Sequence, residues 1–241
     1  MPTAGILVIG NEILSGKVTD VNSPFLCERL REIGVDVERI LTIPDVVETI
    51  ASEVRAMSES YDYVFTSGGI GPTHDDLTIE GVAAAFGRPV EIDPKLREML
   101  RSVLGDDLSE GQLRLATVPA GASLVDSEDK WFPLVVVENV YIFPGIPEGL
   151  RRKFESACDR FSGVPYVLKR VYVKRNETEI VETLDALLEA FPDLVLGSYP
   201  KIRESSYQVL LTLESRDENY VQRALDRLLA DLEDSAIHKV E

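Results

Sequence analysis

The feature that most constrains the fold is a regular alternation of apolar runs and amphipathic runs along the first part of the chain. The runs AGILVIG at 4–10, VDVERILTI at 35–43 and YDYVFTSG at 61–68 have the composition of strands. Amphipathic runs separate them, one from about Ser23 to Ile33 and one over VVETIASEVRAMSES. This order predicts an α/β fold, an open mostly parallel sheet with helices on both faces.

The alternation continues to about residue 160. The further elements predicted for this part are a helix from about Ile79 to Phe86, a helix after Pro94, short strands between Ser123 and Phe143 with a hairpin turn at Glu138 and Asn139, and a helix from Pro147 to about Arg160.

The remaining residues follow a second pattern. The runs KRVYVK, TEIVETLDALLEAF, DLVLGSY, SYQVLLTLES, ENYVQRALDRLLADLE and AIHKV read as strand, helix, strand, strand, helix and strand. That order predicts a small ferredoxin-like α+β domain. With SGVP at 162–165 as a linker, the predicted domains are residues 1–164 and 165–241.

The charge of the chain excludes several classes of partner. The formal net charge is −17, and the nearest basic cluster, Arg151 to Lys153, is too short to bind nucleic acid or an anionic membrane surface. No apolar run approaches the length of a membrane span, and MPTAGILVIG has no charged leader, so we expect a cytoplasmic protein with reduced Cys27 and Cys158. An anionic ligand would need backbone amides, a helix N-terminus or a bound cation.

The most informative stretch is TSGGIGPTHDDLTIEG at 66–81, which we call the glycine turn. Glycines let a backbone approach a phosphate, and the start of the next helix adds amide donors. The residues predicted to bind a phosphate or nucleotide are Ser67, Gly68, Gly69, Gly71 and Thr73. The spacing fits neither the P-loop nor GxGxxG. The alternative is a tight connection between strand and helix, with Thr78 or Asp76 as N-cap.

Two adjacent aspartates in the glycine turn favour a metal site. Asp75 and Asp76 repel each other in a chain that is already strongly acidic, unless a cation binds them. One of the pair could instead be only a helix cap. His74 could be a ligand or a general base, but a single exposed loop histidine is more often neither.

Two other turns follow predicted strands. The loop GNEILSGKVTDVN at 10–22 carries Asn11 and Glu12, and its alternative interpretation is a polar connection in which Asp20 or Asn22 caps the next helix. Because carboxyl ends of parallel strands meet at one edge, Glu12 is predicted as a third metal-binding carboxylate and Asn11 as a phosphate or ribose contact. Asp45 has the same double interpretation, helix cap first and site residue second.

The turn FPGIPEGL at 143–150, which we call the PG turn, also leads from a strand to a helix. Its proline suits the first helical position and its glutamate the first turn, so a plain helix start explains it. It could equally form a wall of the ligand cleft, and Gly145 is therefore a predicted binding residue.

These motifs resemble a known family. GNEILSG with the following DVN, GGIGPTHDDLT and FPGIPEG resemble the molybdopterin-binding-like fold of molybdopterin adenylyltransferases, of competence-damage-inducible proteins and of the N-terminal domain of eukaryotic FAD synthases. The resemblance covers roughly residues 4 to 232 and is strongest for FAD synthases. SEDKWFPLVVVEN departs from the competence proteins, which carry a segment ending in Ala-Pro-Gly there. Neither an amidase nor an FAD-forming activity is expected of this chain.

The resemblance implies a function. In the adenylyltransferases an aspartate precedes a threonine in this turn, which matches Asp76 before Thr78 and implies a catalytic or metal-positioning role for Asp76. Relatives of the competence proteins and FAD synthases hydrolyse the pyrophosphate of ADP-ribose, FAD or similar dinucleotides with a divalent metal. We therefore predict catalytic Asp76 and Asp75, a Mg²⁺, Mn²⁺ or Co²⁺ ion on Asp75, Asp76 and Glu12, and a homo-oligomer.

Two other functions remain open. One is a binding module that holds molybdopterin or a nucleotide cofactor without converting it, and the other is adenylyl transfer to molybdopterin. In the second domain, Tyr199, Lys201 and Arg203 could reach a phosphate or an adenine, but a loop with solvated charges is the simpler interpretation.

Overall fold

The structure is a computed structural model that describes residues 1–126, 132–201 and 206–241. The chain divides into two compact units, Met1–Gly163 and Val164–Glu241. Arg203, a possible ligand contact by sequence, lies outside the described residues. None of the described helices combines the length and the apolar character that a membrane crossing requires.

The first unit alternates strands and helices as predicted. Its elements are β1 Thr3–Ile9, α1 Asn11–Leu14, α2 Asn22–Glu32, β2 Asp36–Ile43, α3 Val47–Ser60, β3 Tyr63–Ser67, α4 Thr78–Ala85, β4 Val90–Ile92, α5 Pro94–Leu104, α6 Glu110–Arg114, β5 Thr117–Pro119, β6 Ser123–Val125, β7 Leu134–Val137, β8 Val140–Phe143 and α7 Pro147–Ala157.

The sheet of this unit has six strands in the order β2-β1-β3-β8-β7-β6. The first four strands are parallel, and β7 runs antiparallel to both β8 and β6. The prediction of an open, mostly parallel sheet is confirmed. β4 and β5 pair with each other in a separate two-stranded ribbon, which the sequence analysis did not predict.

Both faces of the sheet are covered by helices. On β1, Ile6 and Val8 belong to one buried cluster that includes Leu26 of α2, whereas Leu7 and Ile9 belong to another. The second cluster contains residues of α3 and α4. A strand that is buried on both faces has an unbroken apolar sequence, which is why β1 reads ILVI.

Aromatic packing holds the ends of two central strands. Phe65 of β3 lies 6.0 Å from Phe143 of β8 and 5.0 Å from Phe161, measured between ring centroids. All three side chains are at most 2% exposed. Phe65 lies just before the glycine turn and Phe143 is the first residue of the PG turn, so this packing fixes the points from which both turns start.

The second unit consists of β9 Val167–Val173, α8 Glu177–Ala190, β10 Val195–Pro200, β11 Val209–Ser215, α9 Glu218–Asp231 and β12 Ile237–Val240. Its strands form an antiparallel sheet in the order β10-β11-β9-β12. Buried side chains of both helices pack on one face of this sheet. The predicted ferredoxin-like order of elements is confirmed.

Candidate functional site

Three turns leave the same edge of the first sheet. β1, β3 and β8 are parallel neighbours, so the chain emerges together after Ile9, Ser67 and Phe143. The amide of Gly68 donates to the carbonyl of Phe143 at 3.2 Å, which joins the glycine turn to the PG turn. Ligands of open α/β sheets collect at this edge.

The start of the glycine turn requires glycine. Gly68 and Gly69 have φ angles of 104° and 65°, in the left-handed region that other residues rarely adopt. A Cβ atom on Gly68 would also lie 2.3 Å from the carbonyl oxygen of Ile9. The backbone of the turn therefore passes directly over the end of β1.

The free amides of the turn differ from those predicted. Gly68 uses its amide on β8, whereas the amides of Gly69, Ile70 and Gly71 donate to no acceptor within the described part of the chain. Ser67 is also no free contact, because it is buried and its hydroxyl oxygen accepts a hydrogen bond from Asn22 at 2.9 Å. Free amide donors are thus present at Gly69 and Gly71, two of the predicted residues, and at Ile70, but not at Gly68.

Neither predicted N-cap of α4 is one. The residue before the helix is Leu77, with no side-chain cap, and Thr78 is the first helical residue. The buried Thr78 hydroxyl donates to the carbonyl of Gly68 at 2.8 Å, and its amide donates to the carbonyl of Gly69 at 3.0 Å. Thr78 therefore anchors the glycine turn to the helix.

The Asp76 side chain is hydrogen-bonded within its own loop. Its Oδ2 accepts hydrogen bonds from the backbone amide of Thr73, at 2.8 Å, and from the Thr73 hydroxyl. A Cβ atom on Gly71 would lie 2.6 Å from the same oxygen. Arg114 of α6 donates to the carbonyl of Thr73 at 3.0 Å and braces the loop from outside. Asp76 thus holds a closed turn of four residues in shape.

Asp75 is exposed. A hydrogen bond from Thr73, a hydrogen bond from its own backbone amide and the nearby His74 lower the pKa of the Asp75 carboxyl below its usual value. The single Thr73 hydroxyl proton can serve one of the two aspartates at a time. The Nδ1 atom of His74 lies 3.9 Å from Asp75, and His74 itself is almost fully exposed.

Asp75 and Glu12 line one cleft of about 590 Å³, a volume in the usual range for small-molecule sites. We call it the acidic cleft. Its lining residues are Asn11, Glu12, Leu14, Ser15, Lys17, Asp45 and Asp75. Two of the three predicted metal-binding carboxylates therefore face the same space, together with Asn11, whereas Asp76 is not part of the lining.

Asp45 lines the acidic cleft and does not cap α3. Its preferred interpretation as a helix cap is wrong, because α3 follows Val46 and has no side-chain cap. Asp45 instead accepts a hydrogen bond from the backbone amide of Asn11 at 2.7 Å. It thereby ties the end of β2 to α1 and adds a third carboxylate to the acidic cleft. The Asp20 carboxylate accepts hydrogen bonds from the first two amides of α2, those of Asn22 and Ser23, at 2.9 and 3.1 Å, although the residue that directly precedes the helix is Val21.

The predicted metal triad is not preassembled. Among the described residues, no group of three or more His, Cys, Asp or Glu side chains is arranged to hold a metal ion. A hard divalent cation such as Mg²⁺ needs fewer ligands from the protein, since it is usually held by one or two carboxylates and by substrate phosphates. Glu12 and Asp75 both line the acidic cleft and meet that requirement. Asp76 does not line the cleft.

Two residues of the site were missed by the sequence analysis. Lys17 lines the acidic cleft from the loop after α1. Asn22, for which a helix cap was the alternative interpretation and no site role was assigned, donates from Nδ2 to Ser67 Oγ and, at 2.8 Å, to the carbonyl of Gly145. Gly145 lies against the glycine turn, where its Cβ would be 3.3 Å from the Cα of Gly68. The DVN sequence at 20–22 was the available signal, but its partners are far away in the chain.

Comparison with known families gives two matches. Residues 5–162 match the family described as "Probable molybdopterin binding domain", and residues 165–241 match the middle domain of FAD synthase. In a crystal structure of the protein CinA from Thermoplasma acidophilum, 66% of this chain overlays 98% of that chain with a TM-score of 0.62 and 29% identity.

Curated relatives extend the match over most of the chain. A protein of Archaeoglobus fulgidus is 37% identical over 220 residues, which are 91% of this chain and 93% of the relative. A probable FAD synthase of Caenorhabditis elegans is 32% identical over 94% of this chain and 49% of its own length. The chain therefore spans about half the length of the FAD synthases that it matches.

Proposed function

Because the chain belongs to the probable molybdopterin-binding domain family through residues 5–162, we propose that it is a metal-dependent nucleotide pyrophosphatase. Its substrate would be ADP-ribose, FAD or a related dinucleotide. The FAD synthases among the relatives, named for a reaction on a dinucleotide, support a nucleotide ligand.

One observation carries the proposal. The acidic cleft, with Glu12 and Asp75 in its lining, opens at the sheet edge from which the glycine turn and its three free amides emerge. Carboxylates alone would repel a diphosphate, and amides alone are common in tight turns. Both together suit a diphosphate that arrives with a divalent cation.

The residues have distinct roles in this proposal. The amides of Gly69, Ile70 and Gly71 bind phosphate oxygens, while Thr73 and Asp76 keep the turn in the shape that exposes those amides. Asn11 orients a phosphate or ribose oxygen from the acidic cleft. A water molecule attacks one phosphorus, the bridging P–O bond breaks, and two phosphate monoesters leave.

The proposed cation is Mg²⁺, Mn²⁺ or Co²⁺, held by Glu12 and Asp75. When bound, such an ion neutralises phosphate charge and lowers the pKa of a coordinated water. Asp76 contributes through the glycine turn and not as a ligand.

The test is a panel of ADP-ribose, FAD and CoA with each of the three cations, read by chromatography of the products. Hydrolysis of the diphosphate bridge of at least one substrate, with release of both phosphate monoester halves, supports the proposal. Tight binding by calorimetry without products would favour a binding module for a pterin or nucleotide. Transfer of an adenylyl group to molybdopterin would favour the third function.

The variant Asp76→Asn adds a test within the same panel. It should abolish turnover while the fold remains intact, because the weaker amide acceptor loosens the bonds to Thr73 that shape the turn. Unchanged activity in this variant would show that turnover does not depend on Asp76 and that the reaction takes place at another site. A homo-oligomeric, cytoplasmic protein stays a further prediction, which light scattering and cell fractionation would check.

A further inference from the structure

Asn22 joins three turns that meet at the candidate site. It is the first residue of α2 and is 6% exposed. Its two Nδ2 hydrogens are both used, one on Ser67 Oγ at 2.9 Å and one on the carbonyl of Gly145 at 2.8 Å. One carboxamide therefore connects the loop after β1, the end of β3 and the PG turn.

The chemistry of this contact requires an amide. A carboxylate at position 22 would have the same shape but no hydrogen to donate, and it would place a negative charge beside the carbonyl oxygen of Gly145. An apolar side chain would leave that carbonyl and the Ser67 hydroxyl without their partner. The Oδ1 atom of Asn22 is buried and has no partner within the described residues, so both side-chain hydrogen bonds of Asn22 come from its NH₂ group.

The contact of Asn22 sets the distance between the glycine turn and the PG turn. Gly145 lies against Gly68, whose amide donates to Phe143 at 3.2 Å. A small movement of the PG turn would therefore shift Gly68 and, with it, the free amides that follow. The Asn22 side chain is hydrogen-bonded to both turns, through Ser67 and through Gly145.

We infer that Asn22 is a positioning residue for the phosphate-binding amides, a role that rests on the proposed function. It contacts neither substrate nor metal. It fixes the glycine turn against the PG turn, and substrate binding and turnover depend on the spacing that it sets.

The fold supplies a matched control in Asn139. This side chain makes an equivalent contact at the opposite edge of the sheet, before β8, where its Nδ2 donates to the carbonyls of Ser58 and Tyr61 at 3.0 and 2.8 Å. Its Oδ1 accepts a hydrogen bond from the Ser58 hydroxyl. Asn139→Ala should weaken the fold without changing the glycine turn.

The experiment compares Asn22→Ala, Asn22→Asp and Asn139→Ala in the full chain by hydrogen exchange and thermal unfolding. We expect the Gly68 amide, which donates to the carbonyl of Phe143, to exchange at least about tenfold faster in both Asn22 variants and at the wild-type rate in Asn139→Ala. Equal exchange in all three variants would overturn the inference, as would unchanged protection in Asn22→Asp. This readout does not depend on any enzymatic activity, so it separates this inference from the proposed function.

Kinetics on ADP-ribose with Mg²⁺ provide the second readout. Asn22→Asp should lose about 10²-fold in kcat because misplacement of the turn affects the reacting geometry, whereas Asn139→Ala should keep the wild-type kcat even with a lower Tm. If the Asn22 variants do not fold, Ser67→Ala removes one of the two contacts from the other side. Exchange of the Gly68 amide should then accelerate by a smaller factor, and an unchanged rate would contradict the inference.

Discussion

The Asp75 carboxylate combines exposure, a lowered pKa and a place in the acidic cleft. We expect Asp75→Asn to raise the Mg²⁺ concentration for half-maximal activity by about tenfold or more, because it removes a charged oxygen ligand. Because the pKa of Asp75 lies below the usual aspartate value, this carboxylate should remain charged and able to bind Mg²⁺ when the pH falls to that usual value. A metal titration at several pH values measures both effects.

The control for this prediction is Asp107→Asn, which makes the same change of charge at an exposed carboxylate outside the cleft lining. Its metal requirement should equal that of the wild type. An equal shift in both variants would assign the effect to net charge and remove Asp75 from the metal site.

Gly71 tests the shape of the glycine turn by steric means alone. Its φ angle is not positive, yet a Cβ atom would lie 2.6 Å from Asp76 Oδ2. Gly71→Ala should therefore displace the carboxylate from Thr73 and lower kcat on the order of 10²-fold, with little change in Tm. Steady-state kinetics and thermal unfolding measure the two quantities.

The matched variant is Gly111→Ala in α6, where the new Cβ would meet the carbonyl of Pro72 at 3.5 Å, an ordinary contact. Activity should be retained there, because alanine suits a helix and nothing must move. A full-activity Gly71→Ala protein would show that the position of Asp76 is unimportant for catalysis.

Asp45 and Asn22 show which properties of a single residue the sequence does not reveal. Both were recognised as polar residues of site loops and both were assigned first to helix capping, which the structure does not support. Their partners lie 34 and 45 or more positions away. Capping is a local property that a sequence displays, whereas the pairing of distant turns depends on the order of strands in the sheet.

Among the elements, the contact between α3 and α4 depends on Gly81. A Cβ atom there would lie 2.3 Å from Ile50 Cγ2 and 2.5 Å from its Cβ, so the helices could not remain at their present separation. We expect Gly81→Ala to lower stability by about 1–3 kcal/mol, the usual cost of overpacking. Chemical denaturation of both proteins gives this value directly.

A double-mutant cycle identifies the cause. Ile50→Ala removes the Cγ2 methyl group, the nearer of the two obstructing atoms, but keeps the Cβ at 2.5 Å, so Gly81→Ala should cost less in this background than in the wild type without becoming neutral. The same cost in both backgrounds would mean that the helix contact does not limit position 81.

The order of the long elements could be predicted from the sequence, because each carries a clear period of apolar residues over many positions. The elements that were missed are short: α1, α6, β4 and β5 have three to five residues each. α6 carried a signal, since Ser109 and Gln112 form a capping box, but a five-residue helix has little periodicity. β4 and β5 are three residues long and are strands because they pair with each other, which neither sequence pattern shows alone.

For the whole molecule, the net charge of −17 sets the salt dependence of binding. An anionic dinucleotide approaches an acidic surface, so added NaCl should screen repulsion and lower KM, or leave it constant, at saturating Mg²⁺. A basic binding patch would produce the opposite trend. Kinetics between roughly 0.01 and 0.15 M NaCl, the range over which the screening length falls from about 30 to 8 Å, distinguish the two cases.

The strand order also has a consequence for synthesis of the chain. β3 pairs with β8, from Val64 opposite Val140 to Ser67 opposite Phe143, although 76 positions of sequence separate the partners. While the ribosome is still producing the intervening segment, β3 has an unpaired edge and the glycine turn lacks its contacts with Phe143 and Gly145. The site can form only after residue 145 has been synthesised, and shorter nascent chains are the species that a chaperone would need to protect.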